Sequence, residues 1–361
     1  MHAASAGEFE QGKPVLEALR ETYPDHKILV SFFSPSGFSV GQKYKGADII
    51  TYLPLDTAAN AVRFVRIIQP KLVVFVKYDY WYHHLKTVAD RKIPLLLISA
   101  IYRDNQAFFK WYGGFHRRML PFFTQIFVQD HSSQKRLAAI GVNHCRVNGD
   151  TRFDRVASII QAASKLDNID SFIDNLQTVI AGSTWQEDEE LFLKMERNFK
   201  LIIAPHEISK KNITRLIDSF QQVITYSELQ NGIANPENYK VLIIDNIGML
   251  SRLYQYATIT YIGGGFNKSG IHNTLEAAAW GKPVVFGPNY QKFAEAKGLL
   301  QIEAAFTVST FTQLEVTITK LLTDKKALET SSLAAKAYVQ KNGGATAAII
   351  QFIQEKRLLT T

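Results

Sequence analysis

Short apolar runs alternate with amphipathic stretches along this chain. Residues 28–33, 72–76, 95–98 and 126–128 are nearly unbroken in apolar side chains. Runs of that kind predict buried parallel strands, since a half-exposed strand would alternate. Helical spacing fills the intervals, as in residues 13–22 and 58–68. A second series follows at residues 179–181, 201–204, 241–244, 259–262 and 283–286, again separated by helical patterns. Strand alternating with helix predicts doubly wound α/β sheets. The polar stretch from Asp150 to Asp174 breaks the pattern and marks a boundary between a domain at 1–155 and a second at 165–361. From about Gln313 onward the pattern predicts three helices and no strand. The helix at 13–22 has no strand before it, although a βαβ unit anchors such a helix with one. The expectation is a first domain that lacks its first strand.

Composition narrows the class. The chain is 46% hydrophobic and 20% charged, which describes a globular protein of two domains across 361 residues. One cysteine, Cys145, excludes a disulfide framework and fits a reducing compartment. No stretch reaches the roughly 18–20 apolar residues that span a bilayer, and residues 2–10 do not read as a signal peptide. The net charge is +8, and all of it falls in residues 1–155, which hold 21 Lys and Arg against 13 Asp and Glu. An anionic partner is expected on that half: a membrane surface, a phosphorylated substrate or nucleic acid.

Candidate chemistry gathers at strand ends. After the strand at 259–262 comes Gly263-Gly264-Gly265-Phe266-Asn267-Lys268-Ser269-Gly270-Ile271-His272-Asn273, then Thr274-Leu275-Glu276. Glycines let backbone amides approach a phosphate, and a helix beginning near Asn273 would add its N-terminus. Glu276, one turn on, is placed to accept hydrogen bonds from a ribose. An ordinary tight turn with a structural His272 is the competing reading. The segment His2-Ala3-Ala4-Ser5-Ala6-Gly7-Glu8 precedes a helix, so Glu8 is either a capping carboxylate or a general base on a glycine-containing loop. Val76-Lys77-Tyr78-Asp79-Tyr80-Trp81 and Ser34-Pro35-Ser36-Gly37 also follow strands, where open α/β sheets bind ligands. His206 follows another. Aromatic and cationic residues mix in Phe108-Phe109-Lys110-Trp111-Tyr112 and Phe115-His116-Arg117-Arg118, which suits either a membrane interface or a core helix. Zinc spacing, a Walker A motif and a Ser-His-Asp signature are absent from the sequence.

With these residues the chain resembles the Kdo transferases, which attach 3-deoxy-D-manno-octulosonic acid (Kdo) to a lipid A precursor. The resemblance runs over nearly the whole chain. It is carried by the Ser5-to-Glu8 segment, Ser34 to Gly37, Tyr52-Leu53-Pro54-Leu55-Asp56, Gly149-Asp150-Thr151-Arg152-Phe153-Asp154, Ala181-Gly182-Ser183-Thr184 and Gly263 to Glu276, in the family's order and spacing. It implies a GT-B fold, two Rossmann-like domains facing a cleft. The first would bind the acceptor, through Ser5, Ser34, Ser36, Lys77 and Asp79. The second would bind CMP-Kdo, through His206, Gly264, Gly265, Ser269, His272, Asn273 and Glu276. Glu8 matches the family's catalytic base. Transfer would invert the anomeric centre without metal or other cofactor, at the cytoplasmic face of the inner membrane. Three features depart from the family: Lys77 replaces the first acid of a Glu-Thr-Glu-Leu-Trp pattern, Ala204-Pro205-His206 lacks an arginine, and the usual N-terminal anchor is missing. Two other readings compete: a different GT-B enzyme, such as a UDP-N-acetylglucosamine transferase or epimerase, and a nucleic-acid-binding α/β protein. The latter lacks any RNP, KH or helix-turn-helix signature.

Overall fold

A computed structural model describes residues 1–196, 198–232 and 235–360. They form two compact units, Met1–Arg155 joined by the segment from Asn342 onward, and Val156–Lys341.

In the first unit, β1 (Leu29–Phe32) pairs in parallel with β2 (Ile49–Tyr52). A second parallel ladder runs β3 (Val73–Val76), β4 (Leu95–Ala100), β5 (Gln125–Val128), β6 (Cys145–Val147). Residues 1–3 fill the strand position between the two. The Ala3 amide donates to Ser31 O at 3.0 Å and the Ser31 amide to Met1 O at 2.9 Å. On the other side the His2 amide donates to Val74 O at 2.8 Å and the Val76 amide to His2 O at 3.2 Å. The expected gap at the first strand is therefore filled, by a segment too short to show a period. The following helix spans Ala6–Thr22, not 13–22, because Ser5 caps it through the Glu8 amide. Gly7, Gly12 and Pro14 blur the helical pattern of its first half.

The second unit is one seven-stranded parallel sheet. Its strands are β7 (Thr178–Thr184), β8 (Lys200–Pro205), β9 (Val223–Thr225), β10 (Val241–Ile243), β11 (Ile259–Ile262), β12 (Val284–Phe286) and β13 (Ala305–Thr307). They lie in the order β13-β12-β11-β7-β8-β10-β9. The core is the continuous apolar set read from the sequence: Val179, Leu201, Ile203, Val241, Ile243, Ile259 and Val285 are fully buried.

The final helix corrects the domain assignment. Ala345–Glu355 was expected in the second domain, yet it packs in the first unit. Ile349, Ile350, Phe352 and Ile353 join the cluster that holds Phe9, Val30 and Val76, and Phe352 meets Phe127 edge-on at 5.3 Å. Asp154 fixes its start by accepting the amides of Gly344 and Thr346, each at 2.6 Å. Asn148 donates to Ala345 O at 2.8 Å. An amphipathic helix advertises an apolar face but not the core that will receive it.

Each unit has one place where successive strands depart in opposite directions. In the first, the chain runs from residues 1–3 outward through β1 and β2, then returns to β3 on the other side. In the second it runs from β7 through β8, β9 and β10, then returns to β11. Open α/β sheets bind ligands beyond the strand ends at such points.

Candidate functional sites

In the first unit the switch point joins the Ser5-to-Glu8 segment to the end of β3. Glu8 stands in the first turn of a helix, not on a loop as expected, and is half buried. Its amide donates to Ser5 Oγ at 3.5 Å, and the Ser5 hydroxyl donates back to Glu8 Oε2. Ser5 thus serves as a cap, and it occupies one carboxylate oxygen of Glu8. Ser34 caps the helix Pro35–Gln42 in the same way, accepting the Gly37 amide at 3.1 Å and pairing with Ser36 Oγ at 3.1 Å. The two caps lie side by side. The Ser34 amide donates to Ala4 O at 2.8 Å, and a Cβ on Gly37 would stand 3.0 Å from the Ser5 carbonyl carbon.

Lys77 adopts a left-handed backbone, φ 67°, where β3 ends. A non-glycine residue there costs about 1 kcal/mol, so the surrounding hydrogen bonds must hold it; its amide donates to Ile98 O at 2.9 Å. Its ammonium lies over the Tyr78 ring at 5.2 Å. Asp79 turns to His2, Oδ2 to Nε2 at 3.2 Å, while His2 Nδ1 meets Ser31 Oγ at 3.0 Å. Asp79 therefore lies against the residue that bridges the two ladders. Tyr78, one of the aromatics of the Val76-to-Trp81 segment, collects the site's charges. Burial raises its hydroxyl pKa; Arg103 and Arg152 pull it down, while Glu8 and Asp150 push it up. Arg103 is exposed, and among the described residues its guanidinium makes no hydrogen bond or ion pair with the protein. Arg152 is held by Asp150, Nε to Oδ2 at 2.8 Å. Asp150 also accepts Gln11 Nε2 at 3.0 Å, tying the Glu8 helix to the Gly149-to-Asp154 motif.

In the second unit β7 and β11 end together. A Cβ on Gly263 would collide with Ser183 O and Thr184 Cα, so only glycine admits the close approach. Gly264 is left-handed, φ 88°. Its amide was expected to meet a phosphate; instead it donates to Asp188 Oδ2 at 2.8 Å. Asp188 is buried and also accepts the Trp185 amide at 2.9 Å and the Tyr261 hydroxyl at 2.7 Å. Burial pushes its carboxyl pKa up, against these three hydrogen bonds. Gly265 packs against the Gly287 backbone, and its carbonyl accepts the Asn289 amide at 2.9 Å, which joins the turns after β11 and β12. Ser269 is exposed and donates to Asn267 Oδ1 at 2.5 Å within its own turn. The helix that follows is only five residues, Leu275–Ala279. Asn273 orders its start, accepting the Leu275 amide at 3.0 Å and donating to Glu276 Oε1 at 3.0 Å.

His206 and His272 come together as the sequence could not show. Their rings stack at 4.5 Å, and His206 also stacks on Trp185 at 4.6 Å. Trp185 Nε1 donates to His272 Nε2 at 3.2 Å. Burial and the neighbouring His206 lower the His272 pKa. Trp185 and Asp188 escaped the sequence reading, although both lie directly after the Ala181-to-Thr184 strand end. Among the described residues no cluster of three His, Cys, Asp or Glu side chains is arranged to hold a metal ion, and no helix is long and apolar enough to cross a membrane.

Residues 1–155 match the family model of 3-deoxy-D-manno-octulosonic-acid transferase (kdotransferase). A 3-deoxy-D-manno-octulosonic acid transferase of Rickettsia felis is 28% identical, over 95% of this chain and 75% of its own length. One from Haemophilus influenzae is 27% identical, over 98% and 86%. Among solved structures, the UDP-GlcNAc 2-epimerase of Neisseria meningitidis shares the fold, with TM-score 0.66 over 98% of both chains at 17% identity. The first 155 residues thus match the Kdo transferase model, relatives at 27–28% identity align along almost the whole chain, and the fold is the GT-B fold of glycosyltransferases and epimerases, which makes the chain similar to the Kdo transferases.

Proposed function

We propose that the chain transfers Kdo from CMP-Kdo to a lipid A precursor, lipid IVA, with inversion and without a metal. The observation that carries this reading is that both groups of family-matched residues stand at their sheets' switch points: Glu8 in one, Gly264, Asn273 and Glu276 in the other. The acceptor hydroxyl attacks the anomeric carbon of Kdo, and CMP leaves with the bonding electrons. The hydroxyl proton passes to Glu8 Oε1, the oxygen that Ser5 leaves open. Arg103, with Lys77 close by, offers cations to the acceptor's phosphates. Asn273 holds Glu276 toward the ribose of the donor.

The site of action in this reading is the cytoplasmic face of the inner membrane. The positive excess of residues 1–155 supports an anionic surface as partner. So do Trp111, Tyr112 and Phe115, which are 92%, 59% and 54% exposed beside Lys110 and Arg118. A core helix would have buried these rings.

The test is product analysis. The purified chain, supplied with CMP-Kdo made in situ and with lipid IVA, should give Kdo-bearing lipid by mass spectrometry, with and without EDTA. An unmodified acceptor, or stabilisation by UDP in preference to CMP in a thermal-shift assay, would refute it.

A further inference from the structure

Three rings meet where β7, β8 and β11 end. His206 stacks on both Trp185 and His272, and these two are joined at their edges, indole Nε1 to imidazole Nε2, at 3.2 Å. An indole nitrogen can only donate a hydrogen bond. His272 Nε2 must therefore accept, and in the neutral ring the proton must sit on Nδ1. Burial and the neighbouring His206 both favour the neutral ring. The ring is also fixed in place. Its own amide donates to Gly263 O at 3.1 Å, and a Cβ on Gly264 would stand 3.0 Å from His272 Cδ2. Among the described residues, Nδ1 has no protein partner.

We propose that Trp185 is a positioning residue. It holds His272 in the tautomer with its proton on Nδ1, and that N–H binds a phosphate oxygen of the nucleotide donor. The inference rests on reading this unit as the nucleotide side of the enzyme. A neutral N–H grips a phosphate less tightly than an imidazolium would, which helps the product nucleotide to leave after transfer.

The test combines histidine 15N spectra of the full chain with calorimetry of CMP and cytidine. Wild type should show His272 protonated at Nδ1 and bare at Nε2. Trp185→Phe keeps an aromatic ring against His206 but removes the N–H, so the ring should shift toward the Nε2–H form. CMP affinity should fall about 10-fold, while cytidine, which lacks the phosphate, should bind as before. In His272→Asn the amide nitrogen can stand where Nδ1 stood, so most CMP affinity should survive. Adding Trp185→Phe to that variant should then cost little more. A wild-type His272 protonated at Nε2 would overturn the proposal even if Trp185→Phe did not fold. So would an unshifted tautomer in Trp185→Phe, or equal losses for CMP and cytidine. Failure of the wild type to bind either probe would instead bring down the nucleotide reading itself.

Discussion

Asp188 accepts the Gly264 amide at 2.8 Å, so the glycine-rich turn is held from beneath by a buried carboxylate. The same carboxylate receives the Tyr261 hydroxyl and the Trp185 amide. The turn is preorganised by the protein's own acid, and this sets the expected result of removing it. Asp188→Ala leaves three buried donors without an acceptor, each worth about 1–3 kcal/mol. The chain should lose roughly 3–5 kcal/mol of stability in urea, given partial relaxation. A loss below about 1 kcal/mol would mean that water replaces the carboxylate and that the turn needs no such anchor.

Glu8→Gln separates catalysis from capping. Glutamine at the third helical position can still pair with an N-cap serine, so melting temperature should hardly move. If Glu8 takes the acceptor's proton, turnover should fall by about 10²-fold or more. CMP affinity should stay at the wild-type level. Turnover and melting are read on one preparation; near-normal turnover would remove Glu8 from the chemistry. Ser5→Ala is the complementary variant, expected to cost about 1 kcal/mol through the lost cap.

Membrane attachment should depend on both charge and exposed rings. Binding to vesicles containing anionic lipid should weaken as salt rises, since surface attraction is worth about 1 kcal/mol per cation and is screened within about 10 Å at 0.1 M salt. Trp111 is 92% exposed, so Trp111→Ala should leave folding intact while lowering vesicle binding. Cosedimentation that is equal on neutral and anionic vesicles would refute the electrostatic part.

Mild acid should destabilise the protein through two imidazoles, His84 and His272, whose pKa burial lowers. His84 is buried, and its pKa is lowered from 6.5, chiefly by burial, although its contact with Pro54 O opposes the shift. His272 is lowered from the same value by burial and by His206. With folded-state values below the unfolded one, the unfolded chain binds more protons in this window, so stability rises with pH. It should therefore fall as pH drops below about 6.5 and level off beneath the folded-state values. Urea midpoints at pH 7.5 and 5.5 measure this, and His84→Gln should narrow the difference. Equal midpoints in the wild type would contradict the burial argument.

Much of the fold was legible because most strands in these sheets are buried on both faces and read as unbroken apolar runs. Nine strand runs in the sequence coincide with β1, β3, β4, β5, β7, β8, β10, β11 and β12. The four missed strands, β2, β6, β9 and β13, are the outer strands of the sheets. They are short and partly exposed, as in Ile49 and Tyr52 of β2 at 51% and 44%, so their apolar signal is weak. The strand-end positions of Lys77, His206 and Gly264 were readable for the same reason, whereas the segment ahead of Glu8 is too short to show a strand.

What the sequence determined by itself was the α/β class, the resemblance to Kdo transferases and the residues at the strand ends. Only the tertiary structure decided what those residues touch. Strand order put residues 1–3 between β1 and β3, and it set β7 beside β11 across about eighty residues of chain. That adjacency brought Trp185, His206 and His272 into one stack and turned the Gly264 amide onto Asp188. It also gave the last helix to the first unit, where Asp154 and the Phe9 cluster receive it. The physical reason is that periodicity reports only whether a residue faces a core. Hydrogen-bond partners, ring stacks and the choice between two apolar cores arise from contacts distant in sequence, which no local pattern encodes.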